Sequence, residues 1–265
     1  MQINPEFPAH AWGKKMKVKK VILITGASRG LGAHAAFGFA AQGHGVIVNY
    51  SKSDAEAQTV IHKIKAAFPD AAAIAYKADV ARREHVKEMF ETIYSHFGTC
   101  DALITMAGIN KDGPSLDMSD EQWDTVIRTI LTGTFICCQE FARRYDGDNG
   151  RIITIGATTA IKGRKNGANY CSARAGVLNL TRCLALELAP KISVNAVTPG
   201  FIETEEVMTR YSMHIQENYR RQVSHIPAGR LGTPQDVFST LDFLINSSSY
   251  ITGQNLMVDG GLLMR

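Results

Sequence analysis

The sequence predicts one doubly wound α/β domain, a parallel sheet of about seven strands with helices on both faces. Three observations carry this. Short β-branched runs alternate with longer stretches of helical period, which implies parallel βαβ units with right-handed crossovers. The strand segments are apolar at consecutive positions, as in a sheet covered on both sides. A glycine-rich turn follows the first strand and opens the first helix. The chain has 265 residues, 45% hydrophobic and 20% charged. This is ordinary globular composition and excludes a disordered, collagen-like or coiled-coil chain. No Pro/Ser-rich linker or internal repeat interrupts residues 21–265.

The first strand spans 21–25 and the first helix 30–42. A second strand at 45–51 leads to a helix at 54–67, with Asp54 as the expected N-cap. The third strand is placed at 72–80, a helix at 82–97 and the fourth strand at 102–105. A long helix over 120–144, opened by Ser119 or Asp120, carries the apolar stripe Trp123, Val126, Ile127, Ile130 and Leu131. The fifth strand spans 151–156, a helix over 168–189 is closed by Pro190, and the sixth strand spans 192–199. A helix at 233–245 and a short strand at 255–259 end the pattern. The polar stretch 201–230, rich in Met, Tyr and Arg, is too long for a plain connection and reads as a substrate lid.

The net charge of +4 is local. Within residues 1–20, Lys14, Lys15, Lys17, Lys19 and Lys20 face only Glu6. The run is short, lacks interleaved aromatics and leads straight into a strand. It therefore reads as a solvated basic extension, not a nucleic-acid arm or membrane anchor. No apolar run approaches the ~20 residues of a membrane span, and the N-terminus lacks the apolar core of a signal peptide. The cysteines at 100, 137, 138, 171 and 183 have no metal-ligand spacing. They read as buried or free thiols of a reducing compartment, so no metal is expected and a cytoplasmic location is. Adjacent Cys137 and Cys138 are expected to point different ways on their helix.

The turn at 25–32 reads Thr-Gly-Ala-Ser-Arg-Gly-Leu-Gly. Ligands of doubly wound sheets bind at the carboxyl ends of the strands. A helix N-terminus placed there offers unpaired N–H groups and a positive dipole end to a pyrophosphate. Gly26, Gly30 and Gly32 permit the tight turn and close backbone approach, and Ser28, Arg29 and Leu31 complete the loop. The second strand ends in Asn49, Tyr50, Ser51 and Lys52, without the carboxylate that bonds ribose hydroxyls in an NAD site. Arg29, Ser51 and Lys52 suit a 2′-phosphate, so the expected cofactor is NADP(H) rather than NAD(H).

These features join several others in order: Asp79-Val80, Ala107-Gly108-Ile109, Tyr170 within Ala-Asn-Tyr, and the segments 194–200, 201–204, 227–232 and 250–261. Together they resemble the short-chain dehydrogenase/reductase family from about Lys20 to the C-terminus, and within it the β-ketoacyl-acyl-carrier-protein reductase branch. The resemblance implies a Rossmann fold in which Asp79 and Val80 meet the adenine and Ala107 and Gly108 flank the cofactor. It further implies that Pro199, Gly200, Ile202 and Thr204 line the nicotinamide. A homodimer through the long helices, or a homotetramer through the C-terminal strand, is implied as well.

The family's chemistry rests on an Asn, a Ser, a Tyr and a Lys. Here Tyr170 is present, but Arg174 stands at the Lys position one helical turn on, Ala157 at the Ser position and Ile130 at the Asn position. The usual Asn-Asn/Ala-Ala-Gly motif reads Thr105-Met106-Ala107-Gly108. Arg174 keeps a positive charge beside the phenol, which favours phenolate, but a guanidinium does not relay protons as an ammonium does. Ala157 cannot donate to a carbonyl oxygen. Thr158, or Thr159 if the strand continues, is the nearest replacement hydroxyl. Ile130 reads as core. Three readings stay open. One is an NADPH-dependent ketoreductase with weakened catalysis, acting on acyl thioesters delivered by an acyl carrier protein. Another is a catalytically silent homologue that assembles with an active partner. The third is a sugar or polyol dehydrogenase. Arg143, Arg144 and Lys191 offer an acidic carrier a basic rim, opposed by Asp146 and Asp148.

Overall fold

The computed structural model describes residues 18–248 and 250–264; of the basic extension expected over 1–20, residues 1–17 lie outside these. The strands are β1 (Val21–Thr25), β2 (Gly45–Tyr50), β3 (Ala73–Lys77), β4 (Ala102–Thr105), β5 (Gly150–Ile155), β6 (Ile192–Pro199) and β7 (Asn255–Val258). They form one sheet in the order β3-β2-β1-β4-β5-β6-β7, parallel at every pairing. The helices are α1 (Gly30–Ala41), α2 (Asp54–Ala67), α3 (Arg83–Phe97), α4 (Asp120–Ile127), α5 (Gly133–Arg144), α6 (Thr159–Lys162), α7 (Ala168–Leu188), α8 (Glu205–Arg210), α9 (Gln216–Val223) and α10 (Pro234–Asp242).

Alternation along β1 sorts the core into two layers, because successive strand side chains point to opposite faces. Ile22 and Ile24 pack with Phe39, Ile64 and Phe238 from α1, α2 and α10. Val21 and Leu23 pack with Phe90, Phe141 and Leu184 from α3, α5 and α7. Registers of Thr25 with Thr105 and of Thr105 with Thr154 bring the carboxyl ends of three central strands level. Among the described residues no helix is long and apolar enough to cross a membrane.

The structure corrects several sequence expectations. The helix expected over 120–144 begins with a capping box, Ser119 accepting from the Gln122 N–H and Gln122 accepting from the Ser119 N–H. A π turn at Arg128–Thr132 then interrupts it. One extra residue in a turn rotates the remainder of the helix by about 100°. That rotation lets α4 bury Val126 against α7 while α5 buries Ile136 and Phe141 in the layer with α3. Trp123, expected in the buried stripe, is 39% exposed. Asp54 does not cap α2: Ser53 precedes the helix without a side-chain cap. The Asp54 carboxylate instead accepts from the Tyr50 hydroxyl at 2.9 Å and Lys77 at 3.1 Å. The third strand ends at Lys77 rather than 80, because Asn49 Nδ2 takes the Ala78 carbonyl and Asp79 accepts from the Ala81 N–H in a turn. By contrast, Cys137 and Cys138 are both buried, which agrees with their reading as buried or free thiols, and burial pushes the Cys137 thiol up to about 12. Lys20 is no part of a free tail, because it donates to the Ile245 carbonyl. Arg143 and Arg144 both pair with Glu140, itself 1% exposed and also paired with Arg83, so three guanidiniums share this one carboxylate and the cluster keeps a net positive charge.

The helix α10 starts from a second capping box between Thr233 and Asp236. Arg230 adds a fork to the Asp236 carboxylate at 2.7 and 2.9 Å. Arg230 and the Thr233 N–H hold this carboxyl well below the ordinary carboxylate range. Such a group stabilises the fold above its unfolded pKa of 3.8 and loses that contribution as pH falls further. Asp236→Asn is therefore expected to cost about 1 kcal/mol at pH 7, ~2–4 °C in a chain of this size. The difference from the parent shrinks in thermal melts taken at progressively lower pH below 3.8.

Candidate functional site

Strand order reverses between β1 and β4, and the two turns that follow these strands meet at the carboxyl edge of the sheet. Gly26 has φ +65°, and a Cβ there would lie 2.7 Å from the Ala107 Cα. The Ala107 N–H donates to the Thr25 hydroxyl at 3.1 Å, and the Ala27 N–H donates to the Asn49 carbonyl at 2.9 Å. The turn is thus pinned to both neighbouring strands. It delivers the first turn of α1 to the edge with Arg29 in extended backbone and no side-chain cap on the helix N–H groups. Such a terminus suits a phosphate. Ser28, Arg29 and Gly30 are accessible here, Leu31 is half-buried and Gly32 buried.

Of the four residues at the end of β2, Ser51 and Lys52 are exposed. Asn49 and Tyr50 are buried and commit their polar atoms to the protein, Asn49 to the Tyr76 and Ala78 carbonyls and Tyr50 to Asp54. Burial first, then the bond to Asp54, pushes the Tyr50 phenol up to about 12. Asp54 brings to this corner a carboxylate that the strand end itself lacks. Asp79, half-buried, and Val80, buried, follow β3. Pro199, Gly200, Ile202 and Thr204 follow β6; Ile202 is buried and bridges to Gly232. Thr204 caps α8 through the Val207 N–H. All of these loops open on the same edge of the parallel sheet. A cavity of about 600 Å³ lies beside the loop after β6, lined by Phe201 and Arg230 of the expected lid together with Met257, Asp259, Leu263 and Met264.

Tyr170 stands in the first turn of α7, half-buried. The Arg174 guanidinium is 5.4 Å from its ring centroid, within the range of a cation–π contact. Arg174 is only 5% exposed, and its Nη1 donates to the Ile155 carbonyl at the end of β5 at 2.8 Å. Its Nη2 occupies the space a side chain at 108 would need: a Cβ on Gly108 would lie 2.6 Å away, with the Ile130 Cγ1 at 3.8 Å. Ile130, fully buried, packs with Val126, Ala173 and Val177, and Tyr170 closes that cluster. The structure therefore brings Tyr170, Arg174, Ile130 and Gly108 together. Ala157 and Thr158 are buried in the loop after β5. Continuation of the strand to Thr159 is not observed: β5 stops at Ile155 and Thr159 begins α6, so no pleat aligns its hydroxyl with position 157.

Sequence reasoning missed the polar groups beside Tyr170. Asn169, fully buried, donates to the Lys111 and Gln122 carbonyls and so fastens the loop after β4 to α7. Arg164 lies 5.3 Å from the Tyr170 ring centroid and donates to Asp112 at 2.7 Å. Burial opposes the Arg164 charge, but Asp112 and the Tyr211 phenol outweigh it and raise its pKa. Asn169 stands inside the Ala-Asn-Tyr motif; for Arg164 no local pattern gave a signal.

The chain matches the family described as Enoyl-(Acyl carrier protein) reductase over residues 26–263. It is 38% identical over 252 residues to the 3-oxoacyl-[acyl-carrier-protein] reductase FabG of Staphylococcus aureus, covering 94% of this chain and all of that protein. Among solved structures, an Agrobacterium tumefaciens protein assigned as a gluconate dehydrogenase superposes with a TM-score of 0.87 at 31% identity, covering 94% of this chain and 97% of that one. A Bacillus anthracis short chain dehydrogenase gives 0.83 at 32% identity, covering 93% and 97%.

The contrast between two glycines tests the turn. Gly26 and Gly30 both have positive φ, but nothing lies within 4 Å of a Cβ at Gly30. Gly30→Ala is expected to cost about 1 kcal/mol of backbone strain. Gly26→Ala adds a backbone clash, and in thermal melts its loss of stability exceeds that of Gly30→Ala at least twofold, roughly 2–3 kcal/mol.

Proposed function

The chain belongs to the short-chain dehydrogenase/reductase family, and we propose that it is an NADPH-binding reductase that turns the ketone of an acyl thioester into an alcohol, with weakened catalysis. The observation that carries this reading is Tyr170, half-buried beside a fixed guanidinium at the edge where the glycine turn opens. The cradle fits a dinucleotide, since nothing lies within 4 Å of a Cβ at Gly30 and the first turn of α1 is uncapped by side chains.

When bound, the nicotinamide supplies the hydride. Residues 26–32 and the N–H groups of α1 bind the pyrophosphate, Arg29, Ser51 and Lys52 the 2′-phosphate, and Asp79 and Val80 the adenine. Tyr170 gives its hydroxyl proton to the carbonyl oxygen. Arg174 holds a positive charge beside the ring and keeps its own protons, so the proton returning to Tyr170 comes by another route. Ala157 offers that oxygen no donor, at a cost on the order of 10²–10³ in rate. Thr158, buried in the same loop, is the replacement hydroxyl in this reading. The segment 201–230 covers the substrate, and the acyl group arrives on an acyl carrier protein, as the name of the relative suggests. A homodimer or homotetramer is the working assembly. A second reading, a silent partner of an active homologue in a mixed oligomer, is favoured by the bond of Arg174 to the Ile155 carbonyl and by the buried Ile130. A sugar or polyol substrate draws support from the gluconate dehydrogenase likeness alone.

The test is NADPH oxidation with a short β-ketoacyl thioester. Slow turnover is expected, abolished by Tyr170→Phe. The combination Ala157→Ser, Ile130→Asn, Arg174→Lys raises kcat by about 10²-fold. A folded, NADPH-binding protein without turnover, and without gain in that triple variant, overturns the reductase reading in favour of the silent partner.

A further inference from the structure

We propose that Arg164 is a positioning residue that transmits the seating of α8 to the Tyr170 ring. The inference rests on the reading of Tyr170 as proton donor. Asp112 divides its two carboxylate oxygens between two cations: Oδ1 accepts from Arg164 at 2.7 Å and Oδ2 from Arg210 on α8 at 2.8 Å. Arg210 also donates to Glu206 at 2.9 Å. Glu206 accepts from Asn110 at 2.8 Å, and Asn110 accepts from Arg164 at 3.4 Å. These five side chains close a polar ring joining the loop after β4, the loop after α6 and α8. Its charges balance, two guanidiniums against two carboxylates. Arg164 is the member that also lies over Tyr170.

The ring matters because α8 has little else to hold it. It buries no residue, and Met208 alone of its side chains packs against the small cluster of Ile226, Leu231 and Leu262. A helix with so few buried apolar contacts opens at low free-energy cost. The ion pairs are screened only in part, with the Arg164 and Asp112 side chains 17% and 29% exposed, so their charge-assisted bonds retain strength. With α8 seated, Asp112 is held from both sides and fixes the plane of the Arg164 guanidinium against the phenol. With α8 away, Asp112 loses Arg210 and turns freely, and Arg164 loses its fixed anchor. Arg174, by contrast, is tied to the Ile155 carbonyl whatever α8 does. The ring of Tyr170 thus meets one permanent cation and one that reports whether the segment over the site is closed.

The test uses the full chain labelled with 3-fluorotyrosine, with the Tyr170 ¹⁹F resonance assigned by its loss in Tyr170→Phe. Arg164→Ala and Arg210→Met are each expected to shift or broaden that resonance, although Arg210 has no bond to Tyr170. In an Arg164→Ala background, Arg210→Met adds no further change. In turnover both variants lower kcat by about 10–10²-fold, the scale of a small misplacement, with the KM for NADPH unchanged. Where Arg164→Ala does not fold, Arg164→Gln serves. A Tyr170 resonance unmoved by Arg210→Met, or moved equally with and without Arg164, overturns the proposal. The spectrum reads out without turnover, so an inactive protein with the expected coupling faults only the reductase reading.

Discussion

Where β1 and β4 lie side by side, the chain after each strand turns away in its own direction, and the two turns meet with no side chain between them. Gly26 makes this possible twice over, through its positive φ and its missing Cβ, which would strike the Ala107 backbone. The Thr25 hydroxyl then binds the Ala107 N–H across the same gap. This contact sets the exposed start of α1, the crevice between the two halves of the sheet and the level at which the other loops reach its edge. The long apolar strands supply the stability of the sheet, but its reversal point gives the crevice its shape.

The second constraint is the buried guanidinium of Arg174. Burying a charge is costly unless it is bonded. Here one hydrogen bond, one aromatic face and free volume receive it. The Ile155 carbonyl takes one N–H, the Tyr170 ring lies within cation–π range, and Gly108 leaves the volume free. Ile130 lines the same space with apolar surface instead of a polar group that would compete for the guanidinium. The residues at 108, 130, 155 and 174 thus form one packing solution. A lysine at 174 would be shorter and would leave part of this volume unfilled, while an arginine would not fit beside a larger residue at 108. Positions 108, 130 and 174 are coupled by volume and charge, so effects of changing them one at a time are not expected to add.

Charge elsewhere is largely balanced within the protein. Asp236 pairs with Arg230, while Glu140 and Glu91 together offset two of the three charges of Arg83, Arg143 and Arg144. Asp112 and Glu206 absorb Arg164 and Arg210. The surface cations that stay free for an anionic ligand near the glycine turn are Arg29 and Lys52, both exposed and without an ion pair among the described residues. The basic run within residues 1–20 accounts for the net charge of the chain, since residues 21–265 carry as many Lys and Arg as Asp and Glu.

Local pattern alone was enough to place the seven strands, helices α1, α2, α3, α7 and α10 and the turn at 25–32, because alternation, helical period and glycine spacing act over a few residues. Ser119 was legible as the start of α4 for the same reason, and Tyr170 through its ordered motif context. The misread features all depend on pairing. Asp54 looked like a cap until β2 and β3 lay side by side and brought it Lys77. The π turn at 128–132 leaves no mark in the apolar period, since it exists to let two helix faces meet different partners. Arg164 and Arg210 stand 52 and 98 residues from Asp112 along the chain. Only the parallel crossovers, which carry β4, β5 and β6 to one edge of the sheet, bring them within hydrogen-bond reach. A charge in a loop signals nothing in sequence, because its meaning lies in the opposite charge that the fold sets against it.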